Sequence, residues 1–77
     1  MKDVKIYSTP TCHFCHLAKD FLKEKGIAYT EYDVLADVEK RQEMFDKTGQ
    51  MGVPVIMIDG QVIIGFDQPQ ISSLLGV

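Results

Sequence analysis

The sequence predicts an α/β protein in which one four-stranded mixed sheet carries helices on both faces, with the element order βαβαββα. The first observation behind this prediction is the apolar pattern. Segments in which apolar and polar residues alternate are followed by segments in which apolar residues recur at helical spacing. Residues that cap helices or form turns separate these segments, which is the second. The third is the length of 77 residues, which suffices for one core, so residues 1–77 are expected to form a single domain.

The first half of the chain predicts a strand, a helix and a second strand. Apolar and polar residues alternate over Lys2–Ser8, which is typical of a strand. Thr11 is suited to cap the following helix, and Gly26 is suited to end it. Ile27–Val34 is predicted to be the second strand, reached by a right-handed crossover. The helix is expected to bury the apolar residues that recur at helical spacing: Phe14, Leu17, Ala18, Phe21 and Leu22.

The next segment predicts a second helix. Asp37 is expected to cap this helix, which ends near Thr48, just before Gly49. Its inward face is predicted to hold only three apolar residues: Val38, Met44 and Phe45.

The last third predicts a hairpin and a short helix. The Asp-Gly pair at residues 59–60 favours a two-residue turn between strands over Val55–Ile58 and Val62–Ile64. Asp67 is expected to cap the final helix, with Pro69 in its first turn. The inward residues of that helix are predicted to be Ile71, Leu74 and Leu75.

Composition argues against two classes of partner. Acidic residues outnumber basic ones by 11 to 8, which gives a net charge of −3 and no basic stripe, so a nucleic-acid partner is not expected. The longest apolar run, residues 53–58, is far short of the ~20 residues that a membrane helix requires. The amino terminus lacks the apolar region of a signal peptide. We therefore expect a protein of the cytoplasm, where thiols are kept reduced. A monomer is the default expectation for its oligomeric state.

Cys12 and Cys15 form a Cys-x-x-Cys pair where the first predicted strand gives way to the first helix. Residues three apart at a helix start lie on one side of the helix, so the two sulfur atoms can meet. Free backbone N–H groups and the helix dipole favour a thiolate at Cys12, which predicts that it is a nucleophile in disulfide exchange. Cys15 lies one turn deeper and is expected to resolve the mixed disulfide.

The histidines beside this pair leave other interpretations open. His13 either tunes Cys12 as a neighbouring cation or is an exposed surface residue, whereas His16 is expected to be a solvated helix residue. The run Cys12–His16 also matches the C-x-x-C-H motif that attaches a c-type haem. Cysteine and histidine are zinc ligands as well, although a closed zinc site usually takes two separated pairs. A redox-inert module that binds zinc or c-type haem is therefore the alternative to a redox dithiol.

Three motifs of this chain resemble those of glutaredoxins and the related NrdH-redoxins. The resemblance covers residues 3–75. It implies a thioredoxin-like fold of the glutaredoxin type and a thiol–disulfide oxidoreductase acting on protein disulfides or glutathione mixed disulfides. The motifs are Ile6-Tyr7-Ser8 followed by Cys12-His13-Phe14-Cys15, then Val53-Pro54-Val55, and finally Gly65-Phe66-Asp67.

The same resemblance implies a substrate-binding surface around the cysteines. Pro54 would be a cis proline facing the disulfide, and Val53 would pair its backbone with a docked substrate. Without the family, this proline would be interpreted as a trans residue at the start of an edge strand. Gly65 would let the chain pass close to the active site. Asp67 would cap the helix whose end holds the γ-glutamyl part of glutathione.

Two of the remaining candidates, Phe14 and Phe66, have two interpretations each. Phe14 is expected at the inner face of its helix or beside the disulfide. Phe66 either borders the docking groove or packs in the core. Thr9 and His13 flank Cys12 and belong to the implied binding surface, whereas Tyr7 is expected to be structural.

Departures from the usual glutaredoxin pattern bear on the electron donor. The pair His13-Phe14 replaces Pro-Tyr, and Ile64 replaces the first of two glycines. Thr9 replaces a lysine or arginine that helps hold a glutathione carboxylate. Residues 65–71 are closer to NrdH-redoxins, which thioredoxin reductase reduces. No bound cofactor is expected, and the external donor is either glutathione or thioredoxin reductase with NADPH.

Overall fold

A computed structural model describes residues 2–77 and confirms the predicted order of elements. The four strands form one sheet in the order β2-β1-β3-β4. No helix within residues 2–77 is both long enough and apolar enough to span a lipid bilayer. The elements are β1 (Val4–Ser8), α1 (His13–Glu24), β2 (Thr30–Asp33), α2 (Val38–Thr48), β3 (Val55–Ile58), β4 (Gln61–Ile64) and α3 (Gln68–Leu75).

Strand pairing brings three separate segments to one end of the sheet. β1 runs parallel to β2 and antiparallel to β3, with Tyr7 opposite Val55. β4 returns antiparallel to β3, with Ile64 opposite Val55. The chain therefore leaves β1, leaves β4 and enters β3 at the same place, which we call the Ser8 end of the sheet. Residues 9–15, 53–54 and 65–67 all lie there.

The two faces of the sheet bury separate apolar clusters, because successive residues of a strand point to opposite faces. Along β1, Ile6 faces the helices α1 and α3, while Tyr7 faces α2. The cluster under α1 and α3 contains Val4, Ile6, Ala18, Phe21, Leu22, Ile56, Ile58, Ile63 and Ile71. The cluster under α2 contains Tyr7, Val34, Met44, Val55 and Met57.

The second strand is shorter than predicted, since it begins at Thr30 rather than at Ile27. The end of α1 explains the difference. Gly26 has a φ of +69°, and the N–H of Ile27 donates to the carbonyl of Leu22 at 2.9 Å. This bond closes the helix with a Schellman motif and takes Ile27 away from the sheet. β1 begins two residues later than predicted, at Val4, and β4 one residue earlier, at Gln61, whereas β3 has the predicted bounds.

The predicted inward face of α1 is wrong at two positions. Phe14 is 59% exposed and Leu17 is 37% exposed. The buried stripe instead includes Cys15, Ala18 and Leu22, which are spaced i, i+3 and i+7. Because Cys15 faces the sheet in the first turn, its neighbour Phe14 is turned towards solvent.

The predicted inward face of α2 is also only partly confirmed. Met44 is fully buried, but Val38 and Phe45 are 62% and 43% exposed. Asp37 caps this helix as expected, and Gly49 ends it with a φ of +72°. α2 therefore packs on the sheet through one apolar side chain together with polar neighbours that its hydrophobic pattern does not predict.

Candidate functional site

The two cysteines are in disulfide contact at the start of α1. Their Cα atoms are 5.2 Å apart, and the Sγ atoms are directly in contact. Cys12 is partly exposed, whereas Cys15 is completely buried. The two sulfurs therefore differ in how a second molecule can reach them.

Cys12 itself is the N-cap of α1, so the prediction of Thr11 as the cap is wrong. Its Sγ accepts the backbone N–H of Cys15 at 3.1 Å. The N–H of Cys12 donates to the carbonyl of Thr9 at 3.3 Å, which closes a turn with Thr11 inside it. The sulfur thus occupies the position of a capping side chain at the positive end of the helix dipole. That position stabilises a negatively charged sulfur.

The Val53–Pro54 peptide bond is cis, as the resemblance implied and as the interpretation without the family did not. Pro54 is buried and Val53 is partly buried, and they lie immediately before β3. Tyr7 pairs with Val55, so this segment enters the sheet beside the place where β1 leads to the cysteines. The sheet thereby positions the cis-proline segment and the disulfide at the same end.

A third segment, which follows β4, is hydrogen-bonded to the cis-proline segment through Gly65. Its N–H donates to the carbonyl of Pro54 at 2.8 Å, and its φ of +84° is a conformation that favours glycine. A Cβ built at Gly65 would have no atom within 4 Å outside its chain neighbours, so backbone conformation is the constraint.

Phe66 and Asp67 complete this third segment. The Phe66 ring packs on Phe21, with the ring centroids 5.9 Å apart, so core packing is its observed contact. The Asp67 carboxylate accepts the N–H of Gln70 at 3.3 Å and caps α3 as predicted.

The other predicted site residues near the disulfide, Thr9, His13 and Phe14, differ in exposure. His13 and Phe14 are exposed and their rings meet edge to face, 5.5 Å between centroids. Thr9 is partly buried and contributes its backbone carbonyl to the Cys12 turn. Phe14 therefore lies on the surface beside the cysteines and not at the inner face of the helix.

His16 has a contact that sequence reasoning missed. The residue is exposed, as expected, but its ring Nε2 also lies 2.8 Å from the carbonyl oxygen of Pro10. The signal in the sequence is the position of His16 in the first turns of the helix, close behind a loop that contains proline.

A polar cluster behind the site also escaped prediction. The buried Ser8 hydroxyl donates to Glu31 Oε2 at 3.2 Å, and the Lys19 ammonium donates to the same oxygen at 2.9 Å. The hydrogen bond from Lys19 lowers the pKa of the Glu31 carboxyl. These bonds join the end of β1 to β2 and to α1, and so fix the helix that carries the cysteines.

The zinc alternative finds no support in the arrangement of side chains. Within residues 2–77, no group of three or more His, Cys, Asp and Glu side chains is arranged to hold a metal ion. The two cysteine sulfurs are instead in contact with each other.

Comparison with known proteins points to one family. The glutaredoxin family model matches residues 4–63. A glutaredoxin-like 8.6 kDa protein of the rubredoxin operon of Clostridium pasteurianum is 46% identical over 72 residues, which cover 94% of this chain and 96% of that protein. Glutaredoxin 3 of Escherichia coli K12 is 42% identical over 67 residues, covering 87% and 81%.

Solved structures agree in fold. The thioredoxin-like protein BC3987 superimposes with a TM-score of 0.88 at 32% identity, covering 94% of this chain and 99% of that one. A glutaredoxin from Archaeoglobus fulgidus has a TM-score of 0.86 and covers 97% and 87%, at 20% identity.

A four-stranded sheet of this order, with a Cys-x-x-Cys disulfide heading its first helix, defines a thiol–disulfide oxidoreductase of the thioredoxin fold. Within that class, the chain belongs to the glutaredoxin family. Glutaredoxins need no bound cofactor, because the two cysteine sulfurs carry the electrons.

Proposed function

We propose that Cys12 is the nucleophile and Cys15 the resolving thiol in the reduction of protein disulfides or glutathione mixed disulfides. The observation that carries this proposal is the difference in accessibility between the two sulfurs. Cys12 is partly exposed at the N-cap of α1, whereas Cys15 is completely buried. A substrate sulfur can therefore approach Cys12 first. The Cys15 N–H that points at Cys12 Sγ favours the thiolate there.

The proposed reaction has two exchange steps. The Cys12 thiolate attacks one sulfur of the substrate disulfide, forming a mixed disulfide while the substrate S–S bond breaks, and the departing thiolate takes a proton from solvent. Cys15 then loses its proton and attacks Cys12 Sγ, which forms the internal disulfide and releases the second substrate sulfur as a thiolate that is protonated. The substrate gains two electrons and two protons, and an external donor later reduces the internal disulfide.

The proposed docking surface lies at the Ser8 end of the sheet. Phe14 offers an exposed apolar ring beside Cys12, and Val53 offers backbone groups before β3. Gly65 holds the carbonyl of Pro54, and Phe66 supports this segment from the core side. The full set proposed for substrate binding is Thr9, His13, Phe14, Val53, Pro54, Gly65, Phe66 and Asp67.

Single-cysteine variants test the roles of the two sulfurs. Cys12→Ser is expected to abolish turnover of a protein disulfide such as that of insulin. Cys15→Ser is expected to accumulate a mixed disulfide with the substrate, detectable by mass spectrometry. The reverse pattern, with the trapped adduct on Cys15 of the Cys12→Ser protein, would show that the assignment is inverted.

We further propose that a thioredoxin-reductase-type flavoprotein, not glutathione, is the main reductant. Thr9 is neutral at the position where glutaredoxins usually hold a cation, and Ile64 is 55% exposed in place of a glycine. Both changes weaken the recognition of a small peptide carboxylate while leaving an apolar surface suited to a protein partner.

The donor test uses the oxidised protein and follows the loss of NADPH. One arm supplies thioredoxin reductase, and the other supplies glutathione with glutathione reductase. Faster turnover with thioredoxin reductase supports the proposal, and faster turnover with glutathione overturns it. Thr9→Lys is expected to raise glutathione-dependent turnover about two- to fivefold, as an exposed ion pair can. The control Thr11→Lys adds the same charge at an exposed neighbour and is expected to raise it less.

The remaining parts of the proposal concern the protein as a whole. Residues 1–77 are proposed to work as one domain and as a monomer. The cytoplasm is the proposed compartment, because its reducing poise keeps the dithiol form available. Size-exclusion chromatography at micromolar concentration tests the monomer, and a dimer under reducing conditions would overturn it.

A further inference from the structure

His16 reaches back from α1 to the loop that precedes the active-site cysteine. Its ring Nε2 lies 2.8 Å from the carbonyl oxygen of Pro10. A carbonyl oxygen can only accept a hydrogen bond, so Nε2 carries the hydrogen and donates. Both the neutral ring with its hydrogen on Nε2 and the doubly protonated ring can make this bond.

The backbone of His16 makes a second hydrogen bond to the same loop. Its backbone N–H donates to the carbonyl of Cys12 at 3.2 Å, and the N–H of Cys12 donates to the carbonyl of Thr9 at 3.3 Å. Pro10 is the second residue of that four-residue turn, where its ring fixes φ. His16 is therefore hydrogen-bonded to this turn twice, at Pro10 through its side chain and at Cys12 through its backbone.

We propose that His16 is a positioning residue for the thiol–disulfide reaction. By holding the Thr9–Cys12 turn, it keeps the sulfur of Cys12 at the N-cap, where the N–H of Cys15 donates to it. His16 acts through Pro10 and has no recorded contact with the sulfur within the described residues. The inference rests on the proposed function in that Cys12 is taken as the attacking sulfur.

The physical reason is that a capping position stabilises a negative charge only while its geometry holds. The first turn of a helix frays more easily than its middle, because its N–H groups have no partners within the helix. The hydrogen bond from the His16 ring is expected to hold this turn in place. If that bond is lost, the turn samples other conformations, and the Cys12 thiolate spends less time beside its donor.

Variants of His16 in a Cys15→Ser protein test the proposal, because Cys12 is then the only thiol. His16→Leu removes the donor, while His16→Gln places an amide nitrogen near the position of Nε2. Leu and Gln have similar helix propensities, so the pair isolates the hydrogen bond. The measurement is the rate of alkylation by iodoacetamide as a function of pH, with thermal melting as a check of the fold.

His16→Leu is expected to ionise Cys12 at higher pH, so that below the parent's ionisation midpoint it reacts about three- to tenfold more slowly than the parent. His16→Gln is expected to react within about twofold of the parent, as a replacement donor should. Asp20→Leu, an exposed change one turn further along α1, is the matched control and is expected to leave the rate unchanged. His16→Ala replaces His16→Leu in the comparison if the leucine protein does not melt cooperatively.

Two results would overturn the proposal. Parent-like alkylation of His16→Leu would show that the bond to Pro10 does not influence the sulfur. Equal slowing of His16→Leu and His16→Gln would assign the effect to the imidazole itself and not to the hydrogen bond. The series reads the ionisation of Cys12 directly, so it remains decisive even if the trapping experiment shows that Cys12 is not the attacking sulfur.

Discussion

Tyr7 donates its hydroxyl hydrogen to Glu43 Oε1 across 2.6 Å, and this bond joins the central strand β1 to helix α2. The tyrosine is completely buried, while Glu43 also accepts a hydrogen bond from Lys40 Nζ at 3.1 Å. Burial, followed by the bond to Glu43, raises the pKa of Tyr7 far above its usual range. The hydroxyl therefore keeps its hydrogen, and donates it to Glu43, to higher pH than an ordinary tyrosine would.

Removing this hydroxyl is expected to destabilise the fold. Tyr7→Phe should lower the free energy of unfolding by about 1–2 kcal/mol, because the lost bond ends on a charged acceptor. Urea unfolding followed by circular dichroism measures the change. Tyr29→Phe is the matched control, since the Tyr29 hydroxyl has no recorded hydrogen bond within residues 2–77, and its midpoint should not move. Equal midpoints for the two variants would contradict this account of α2 docking.

Low pH should lower the stability of the fold by protonating the Glu43 carboxylate. The hydrogen bonds from Tyr7 and then Lys40 lower the pKa of Glu43 below its unfolded value of about 4.3. The ionised form is thus favoured in the folded state. The resulting stability is present above pH of about 4.3 and is lost as the pH falls through the lower folded value.

Thermal melting between neutral pH and about pH 3 tests this expectation. The melting temperature should fall as Glu43 is protonated, and Glu43→Gln should show a shallower fall. Glu31 has its pKa lowered by Lys19 and contributes in the same direction, so Glu31→Gln is the comparison variant. A Glu43→Gln profile parallel to that of the parent would assign the acid sensitivity elsewhere.

The sequence predicts the architecture well because the spacing of apolar residues and the positions of capping and turn residues are local signals. Asp37 and Asp67 cap their helices through contacts with immediate neighbours, and the turn at residues 59–60 connects two strands that are adjacent in the chain. The bonds of Tyr7 with Glu43 and of Ser8 with Glu31 join residues far apart in the chain, and hydrophobic patterns carry no signal for them.

At the site, the cysteine spacing alone places the two sulfurs on one side of α1. The N-cap of α1 could not be predicted correctly, because Thr11 is the better capping residue by type. Cys12 takes the capping position only because its N–H donates to the carbonyl of Thr9 and closes a turn. The cis bond before Pro54 was implied by the family resemblance alone, since local sequence favours the trans form.

Gly65 is expected to resist substitution for a conformational reason. With a φ of +84°, Gly65→Ala should cost about 1–2 kcal/mol, although a Cβ there has open space around it. Gly65→Asn is the matched variant, because asparagine tolerates positive φ better than alanine. Urea midpoints in the order glycine, asparagine, alanine support this reason.

The same variants report on the docking segment, since the Gly65 N–H holds the carbonyl of Pro54. Turnover of a protein disulfide should fall in Gly65→Ala, while alkylation of Cys12 in the reduced protein should stay close to the parent. Equal losses in both assays would show that the substitution disturbs the cysteines and not the docking surface.

Asp67 allows the capping role to be separated from a role in recognition. Its carboxylate accepts the N–H of Gln70 at the start of α3, so Asp67→Ala should lower the free energy of unfolding by about 1 kcal/mol. Asp67→Asn keeps an oxygen acceptor at the cap and should retain most of that stability. If Asp67 acts only as a cap, Asp67→Asn should also retain turnover with either reductant. A loss of turnover in Asp67→Asn without a shift in its urea midpoint would assign the negative charge of Asp67 to substrate or donor binding.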